Sequence, residues 1–428
     1  MTRRTSRLMT LIIGAFTLHA ACSPPATEQS TAASSVTVFE GARLIVGDGT
    51  PPIENASFIV DGTRFTSVGR PEVVVQVPPG AARVDLKGKT VMPALIDTHT
   101  HLAQTRDALV NQLQGKAYYG VAAVLSLGQD NTDVPFQVRG EIIPDAARFF
   151  TAGRGITMPE PGRTEAPYWI KSEEEGRKAV RELAAKKVDI VKIWVDDRDG
   201  KYPKLTPPLY TAIIDEAHKN SLRVTAHIFA LEDAKGLLKA GIDAFAHGVR
   251  DRDIDDEFMA LVRERPNLVV VPNLPDPGVK ADLSWLSETV PGDELEKLQE
   301  GATDRPDVQK AFGIQARNLA KLNAVGVKIA LGTDGSASWS PHAEMADMVA
   351  AGMTPAQVIV ASTRNAAEFL RLNDLGTVQP GKSADFIVLD GNPLEDITNT
   401  RRISSVYLRG KSIDRAAMSA RWTKTSTQ

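Results

Sequence analysis

The chain has 428 residues, 42% of them hydrophobic and 24% charged, with a formal charge of −3. That is ordinary globular composition, long enough for one large domain and a smaller one. The near-even charge balance gives no basis for a nucleic acid or an acidic surface as partner, and the chain carries no like-charge block, internal repeat or heptad seam.

In chain order, Arg3, Arg4 and Arg7 come first, followed by an apolar run from Leu8 to Ala21. The run is too short to span a bilayer comfortably and reads as the charged and hydrophobic parts of a secretory signal over residues 1–22. Leu18-His19-Ala20-Ala21-Cys22 resembles the cleavage box of bacterial lipoproteins, in which the cysteine is lipidated; His19 departs from the aliphatic residue usual there. Simple cleavage near Ala20 or Ala21 is the alternative, and a buried core cysteine the third reading. The expected location is the periplasm or, through lipidated Cys22, the outer membrane of a bacterium, with membrane contact only through that anchor. Residues 23–35 read as a flexible tether. Cys22 is the only cysteine, so disulfides and thiolate metal sites are excluded from the folded part, and any metal there needs nitrogen and oxygen ligands.

Residues 36–90 read as short β segments split by Gly47-Asp48-Gly49, Pro51-Pro52 and Asp61-Gly62. Residues 373–414 resume that style, so the two ends together predict a small discontinuous β-sandwich domain. Between them, 91–372 alternates strand and helix, the pattern of a parallel α/β fold. Eight strands are predicted, at 92–98, 121–127, 147–152, 188–195, 222–228, 242–247, 267–273 and 327–333. Helices are predicted over 173–187, from Pro207 behind a Thr206 cap, and over 231–240 with Gly241 as stop. Eight strands in this span match a (β/α)8 TIM-like barrel, whose chemistry sits at the C-terminal strand ends. Residues 274–312, interrupted by Pro275, Pro277, Pro291 and Pro306, are expected to be irregular and to cover the mouth of the site. Residues 415–428 read as a C-terminal tail.

Six residues with ligand chemistry fall near strand ends. His99 and His101 close Val91-Met-Pro-Ala-Leu-Ile-Asp-Thr-His-Thr-His101; residues two apart on a strand point to one side, so both imidazoles can reach one ion. Lys192 shares a strand face with Ile190 and Trp194. A lone ammonium buried there would be costly and would tend to lose its proton, and a neutral amine can add carbon dioxide to become a carbamate. Taken alone, a lysine paired with a carboxylate is the commoner arrangement. His227 and His247 end successive strands; singly, each would be a hydrogen-bonded core histidine. Asp334 precedes Gly335, where an aspartate is commonly a turn or helix cap.

His-X-His on the first strand, Lys on the fourth, His on the fifth and sixth and Asp on the eighth resembles the amidohydrolase superfamily, in its binuclear form with a carboxylated lysine. The flanking β segments and Pro380-Gly-Lys-Ser-Ala-Asp385 resemble its imidazolonepropionase and dipeptidase-like branch, over residues 36–414. The resemblance implies two divalent ions, zinc first among them. His99, His101 and Asp334 would hold one, His227 and His247 the other, and carboxylated Lys192 would bridge them. It implies attack by a metal-bridging hydroxide on a small-molecule amide or peptide-like bond, with Asp334 carrying the proton to the leaving amine. A homo-oligomer is expected, since relatives are often oligomeric. One departure stands out: Phe229 occupies the place where many dipeptidase-like relatives carry a tyrosine that can donate to the developing oxyanion.

Lower-ranked candidates for substrate contact are Tyr202, Arg250, Asn273 and His342. Arg250 and Arg252 could meet a substrate carboxylate or lie in a solvated loop; His342 could equally pack a helix start, and His218 reads as structural. The expected activity is that of a dipeptidase, carboxypeptidase-like enzyme or N-acyl amino acid hydrolase. Hydrolysis of a lactone, cyclic imide or ester is the alternative, and a non-catalytic binding protein the remote one.

Overall fold

The computed structural model describes residues 36–72, 77 and 79–424. The signal, the Cys22 lipidation site and the 23–35 tether lie outside these. Among the described residues no helix is long and apolar enough to cross a membrane.

Both ends of the chain build one eight-stranded sheet. Its order is Lys411–Ser412, Ile403–Leu408, Phe386–Leu389, Thr90–Pro93, Val36–Leu44, Ile53–Asp61 and Arg64–Gly69, with Ala82–Asp85 added beside Val36–Leu44. The expected pairing of the two ends is therefore present, but as a single sheet rather than two facing ones. A bulge explains how. Gly41 has φ +85°, and the register of Val36–Leu44 shifts on either side of Ala42. The strand bends there, and one partner, Ala82–Asp85, gives way to another, Thr90–Pro93. The sheet encloses an aromatic core in which Phe39 stacks on Phe58 at 4.8 Å and Phe386 on Tyr407 at 4.5 Å. It also takes in Thr90–Pro93, three residues beyond the expected boundary.

The middle of the chain is α/β with parallel strands, and all eight predicted strands form, each shorter than expected and the first displaced from 92–98 to Leu95–Thr100. Leu95–Thr100, Val121–Ser126 and Arg148–Thr151 make one sheet. Val191–Val195, Val224–Ile228, Ala244–Ala246, Val269–Val271 and Lys328–Ile329 make the second, extended by two short strands, Ile156–Thr157 and Tyr168–Trp169, that the sequence pattern did not announce. Hydrogen bonds join the two sheets on both sides: Asp189 N donates to Thr151 O at 3.0 Å, and Thr98 N to Leu331 O at 2.9 Å. Alternation sorts the fourth strand. Ile190 packs with Ile96, Leu125, Ala244 and Val271 on one face, while Val191, Ile193 and Val195 pack with the surrounding helices on the other.

The helices follow their caps. Ser172 and Glu175 form a reciprocal capping box on Glu173–Ala185. Pro207–Lys219 begins on its proline, and Leu231–Ala240 stops at Gly241, φ +100°. Two expectations change. Residues 274–312 are more regular than their prolines imply, because Pro291 and Pro306 start the helices Gly292–Gly301 and Pro306–Ala324 instead of interrupting them. The segment is fixed along the Arg106–Tyr118 helix, where Tyr118 Oη donates to Glu288 Oε2 at 2.7 Å and Tyr119 bonds Thr289. None of its hydrogen bonds, among the described residues, reaches the six candidate ligands. Residues 415–424 are a helix rather than a tail. Met418 is buried, Arg415 lies 4.1 Å above the Tyr118 ring and donates to Ile403 O, and Trp422 Nε1 donates to Asn111 Oδ1. Those apolar contacts are what a free tail would forgo.

Candidate metal centre

Five of the six candidate ligands converge on or border one another at the strand ends, with Asp334 in the middle. His99 Nε2 and His101 Nε2 each lie 3.0 Å from Asp334 Oδ1, and His247 Nε2 lies 3.6 Å from Oδ2. Ligand atoms of His99, His247 and Asp334 all fall within 4.8 Å of one another. The His227 ring packs 4.5 Å from that of His247, and the His99 ring 5.2 Å from the same residue. Lys192 is fully buried, its ammonium 5.3 Å from the Trp194 ring, with no hydrogen-bond partner.

Each histidine has a second partner that decides which nitrogen is left over. The Asn273 carboxamide lies 2.6 Å from His99 Nδ1 and 3.5 Å from His247 Nδ1. That leaves the two Nε2 atoms facing inward, buried and without a hydrogen bond. His227 is turned the other way. Its Nε2 donates to Asp196 Oδ2 at 2.8 Å, Arg198 holds the same carboxylate oxygen at 2.6 Å, and Nδ1 is the nitrogen left over. Burial, reinforced by the Lys192 charge, pushes the His99 imidazole down to about 3. Burial also takes His227 to about 3, against the pull of Asp196, and His247 well below its ordinary value, with Arg250 adding to it. These imidazoles are neutral at neutral pH, the form that offers a lone pair to a cation. Burial would raise the Asp334 carboxyl, but His99, His101 and His247 outweigh it and hold it far below the carboxylate range.

Backbone and buried charges fix the arrangement. His247, Asn273 and Asp334 have φ of +125°, +42° and +54°, a conformation that non-glycine residues adopt only where the surroundings enforce it. Asp334 N donates to His99 O at 2.7 Å, tying the eighth strand end to the first. Asp97, two residues before His99, accepts from the backbone of His99 and Thr333 and from the Thr333 hydroxyl. Its counter-ion is Lys116, at 2.9 Å, both side chains fully buried. Lys116→Met leaves that carboxylate uncompensated and is expected to cost about 3–5 kcal/mol in denaturant unfolding. Gly332 passes so close that a Cβ would stand 2.4 Å from Val271 Cγ1, 2.7 Å from Asn273 Oδ1 and 2.8 Å from His99 Cβ. Gly332→Ala should therefore destabilise by about 1–3 kcal/mol and displace His99, read as a lowered Tm together with weakened metal retention.

The lower-ranked candidates separate. Arg250 belongs to the centre: its Nε is buried without a partner, and its charge acts on Lys192, His227 and His247. Asn273 orients His99 from behind, so its expected contact with substrate is replaced by a contact with a candidate ligand. Tyr202 donates its hydroxyl to Pro161 O at 3.2 Å. His342 is spent on structure, bonded through Nδ1 to Thr400 at 3.0 Å and through Nε2 to Tyr119 O at 2.9 Å, which leaves no ring nitrogen for substrate. Arg252 turns to Asp251, and His218 bonds Asp243. Phe229 is partly exposed and carries no side-chain donor. Asp196, Arg198, Asp97 and Lys116 were not singled out from the sequence. The carboxylate two places before the histidine pair was the one available signal.

Comparison with known proteins identifies the family. The amidohydrolase family model matches residues 90–413, more than half of the chain and spanning all six residues. The imidazolonepropionase of Deinococcus radiodurans is 28% identical, covering 84% of this chain and 92% of its own. Ochratoxinase of Aspergillus niger is 24% identical, covering 90% and 88%. Among solved structures, a Xaa-Pro dipeptidase with bound methionine superposes with a TM-score of 0.71 at 24% identity, over 89% of this chain and all of the other, which is a likeness of fold. With the family match lying across the strand-end cluster just described, the chain belongs to the amidohydrolase family and is a hydrolase.

Proposed function

We propose that this chain is a binuclear metal-dependent amidohydrolase that cleaves an amide or peptide-like bond in a small molecule carrying a carboxylate. The observation that carries the reading is that His99 Nε2 and His247 Nε2, buried and without a hydrogen bond, crowd one carboxylate, with Lys192 Nζ also buried and unbonded. Buried polar atoms are seldom left unsatisfied; cations would satisfy the two imidazole nitrogens, and a carbamate formed on Lys192 would turn that amine into an oxygen donor. The donor set of imidazoles and oxygens suits zinc. In this reading His99, His101 and Asp334 would hold one ion and His227 Nδ1 and His247 the other. Neutral Lys192, on adding carbon dioxide and releasing a proton, would become a carbamate and offer oxygen ligands to them. Such ions lower the pKa of water and polarise a carbonyl.

The protein's own groups then have separate tasks. Asp334 takes up a proton at its carboxylate and returns it to the departing amine. Arg250 Nε and Arg198 Nη2, both buried and without hydrogen-bond partners, meet the substrate's carboxylate. Phe229 contributes no donor to the substrate carbonyl. The hydrogen bonds joining the two parallel sheets support a closed (β/α)8 barrel, which would bring the five strand ends that carry the six candidate ligands to one mouth. We also read the chain as exported, with Cys22 as its anchor.

The test is release of amine from a library of dipeptides and N-acyl amino acids, run beside lactones, cyclic imides and esters. The expected result is turnover of amides ending in a free carboxylate, falling at least about tenfold when that carboxylate is amidated and again in Arg250→Gln. Turnover confined to lactones or imides would overturn the amide assignment.

A further inference from the structure

Away from the histidine centre, a cavity of about 510 Å³ opens between the 276–305 segment, the Ser340–Ala350 helix and the turn at Ile397–Arg401. None of the six candidate ligands lines it. Its size is that of a small-molecule site. The walls are apolar, with Pro277, Leu283, Leu298 and the indoles of Trp285 and Trp339, which meet edge to face at 6.1 Å. Val279, on the rim, is 46% exposed.

Two charges face this space without partners. The Arg401 guanidinium lies over the Trp285 ring, 4.7 Å from its centre, makes no hydrogen bond or ion pair to any described residue, and has its Nε buried. Asp347, on the Ser340–Ala350 helix that packs against the Arg401 turn, likewise has no side-chain hydrogen bond or ion pair, although the Arg401 charge acts on it. The two stand too far apart to pair with each other. Burial has pushed the Asp347 carboxyl up to about 7, helped by Asp276 and opposed by Arg401, which reflects the cost of leaving an acid there uncompensated. The Trp285 Nε1 donor is also buried and unused. The other ionic groups of the lining are accounted for: Arg305 pairs with Asp276, and Lys297 is exposed to solvent.

An apolar cavity lined by an acid and a guanidinium, neither of them in a hydrogen bond or ion pair, complements a molecule that carries a cation, an anion and an apolar body. We propose that this cavity is a second binding site, for an apolar α-amino acid. Its ammonium lies against Asp347, its carboxylate against Arg401 and Trp285 Nε1, and its side chain against Leu283, Leu298 and Trp339. The proposal does not depend on the hydrolytic reading.

The test is calorimetric titration of the full chain with L-phenylalanine, beside phenethylamine and 3-phenylpropanoate, which keep the body and one charge each. The expected result is binding of one phenylalanine at this cavity, weakened at least about tenfold by Asp347→Asn, by Arg401→Gln, and by removing either charge from the ligand. Val279→Trp, at an exposed rim position, should block entry while leaving the buried groups intact, so the question is decided even if a charge variant fails to fold. No binding by the wild type overturns the proposal. So does binding that Val279→Trp leaves unchanged, which places the amino acid elsewhere, or equal binding of a singly charged analogue. Hydrolytic turnover is not a readout, so failure here leaves the hydrolytic reading untouched.

Discussion

Lys192→Met is expected to abolish turnover while making the metal-free protein more stable. The amine sits in a fully buried position without a hydrogen-bond partner. Burial drives it down from 10.5 to about 7; Asp334 opposes this, and Arg250 and Arg198 add to it. In an unfolded chain the amine returns to about 10.4. Between these values the unfolded state binds the extra proton, so stability of the metal-free protein rises with pH from about 7 to about 10. The cost is fully present below about pH 7 and vanishes above the unfolded value. Methionine matches the length of lysine and carries no charge, so the variant should gain about 2–4 kcal/mol near neutral pH. It should also lose the pH slope. Equilibrium unfolding of both proteins after chelation, at pH 6.5 and pH 9.5, checks this; equal stability at the lower pH would mean that the amine is solvated or paired after all. A buried charge-bearing residue that burdens the bare fold is what a functional site looks like.

Asp334→Asn is expected to lower kcat by about 10²–10⁴-fold, even in protein that still holds metal. The amide keeps the shape but cannot take up a proton. His99, His101 and His247 all approach this one carboxylate, so the same change should also loosen the centre. Metal content measured beside kcat separates the two effects. Unchanged kcat per bound metal would remove Asp334 from the proton path and leave it a ligand only.

How much of this was legible in the sequence depends on how local the signal is. The strands announce themselves because buried parallel strands are short apolar runs between turn residues, and Val188–Val195 also places Lys192 by alternation. Gly241 and Thr206 mark helix ends through backbone preferences that act within a few residues. The six candidate ligands were found because strand ends of an α/β fold lie together, so position in the strand stood in for position in space. What failed was non-local. The Lys116–Asp97 pair joins a helix to a strand across 19 residues, and Lys116 looks like any helix-surface lysine in sequence. The partners of His342, Thr400 and Tyr119, lie 58 and 223 residues away, so nothing near it revealed that both ring nitrogens were taken. Pro291 and Pro306 were read as breaks because a proline at a helix start and one in a loop differ only in how the next few residues coil and pack. The single end sheet depends on a bulge at Gly41 that has no signature beyond one glycine.

The most direct measurement is metal stoichiometry. Protein reconstituted with zinc in the presence of bicarbonate should bind two equivalents per chain, and anomalous scattering should place both within reach of Lys192. The Lys192→Ala variant should retain fewer than two and show no turnover. Full turnover with a single ion, or with Lys192 replaced, would contradict the account.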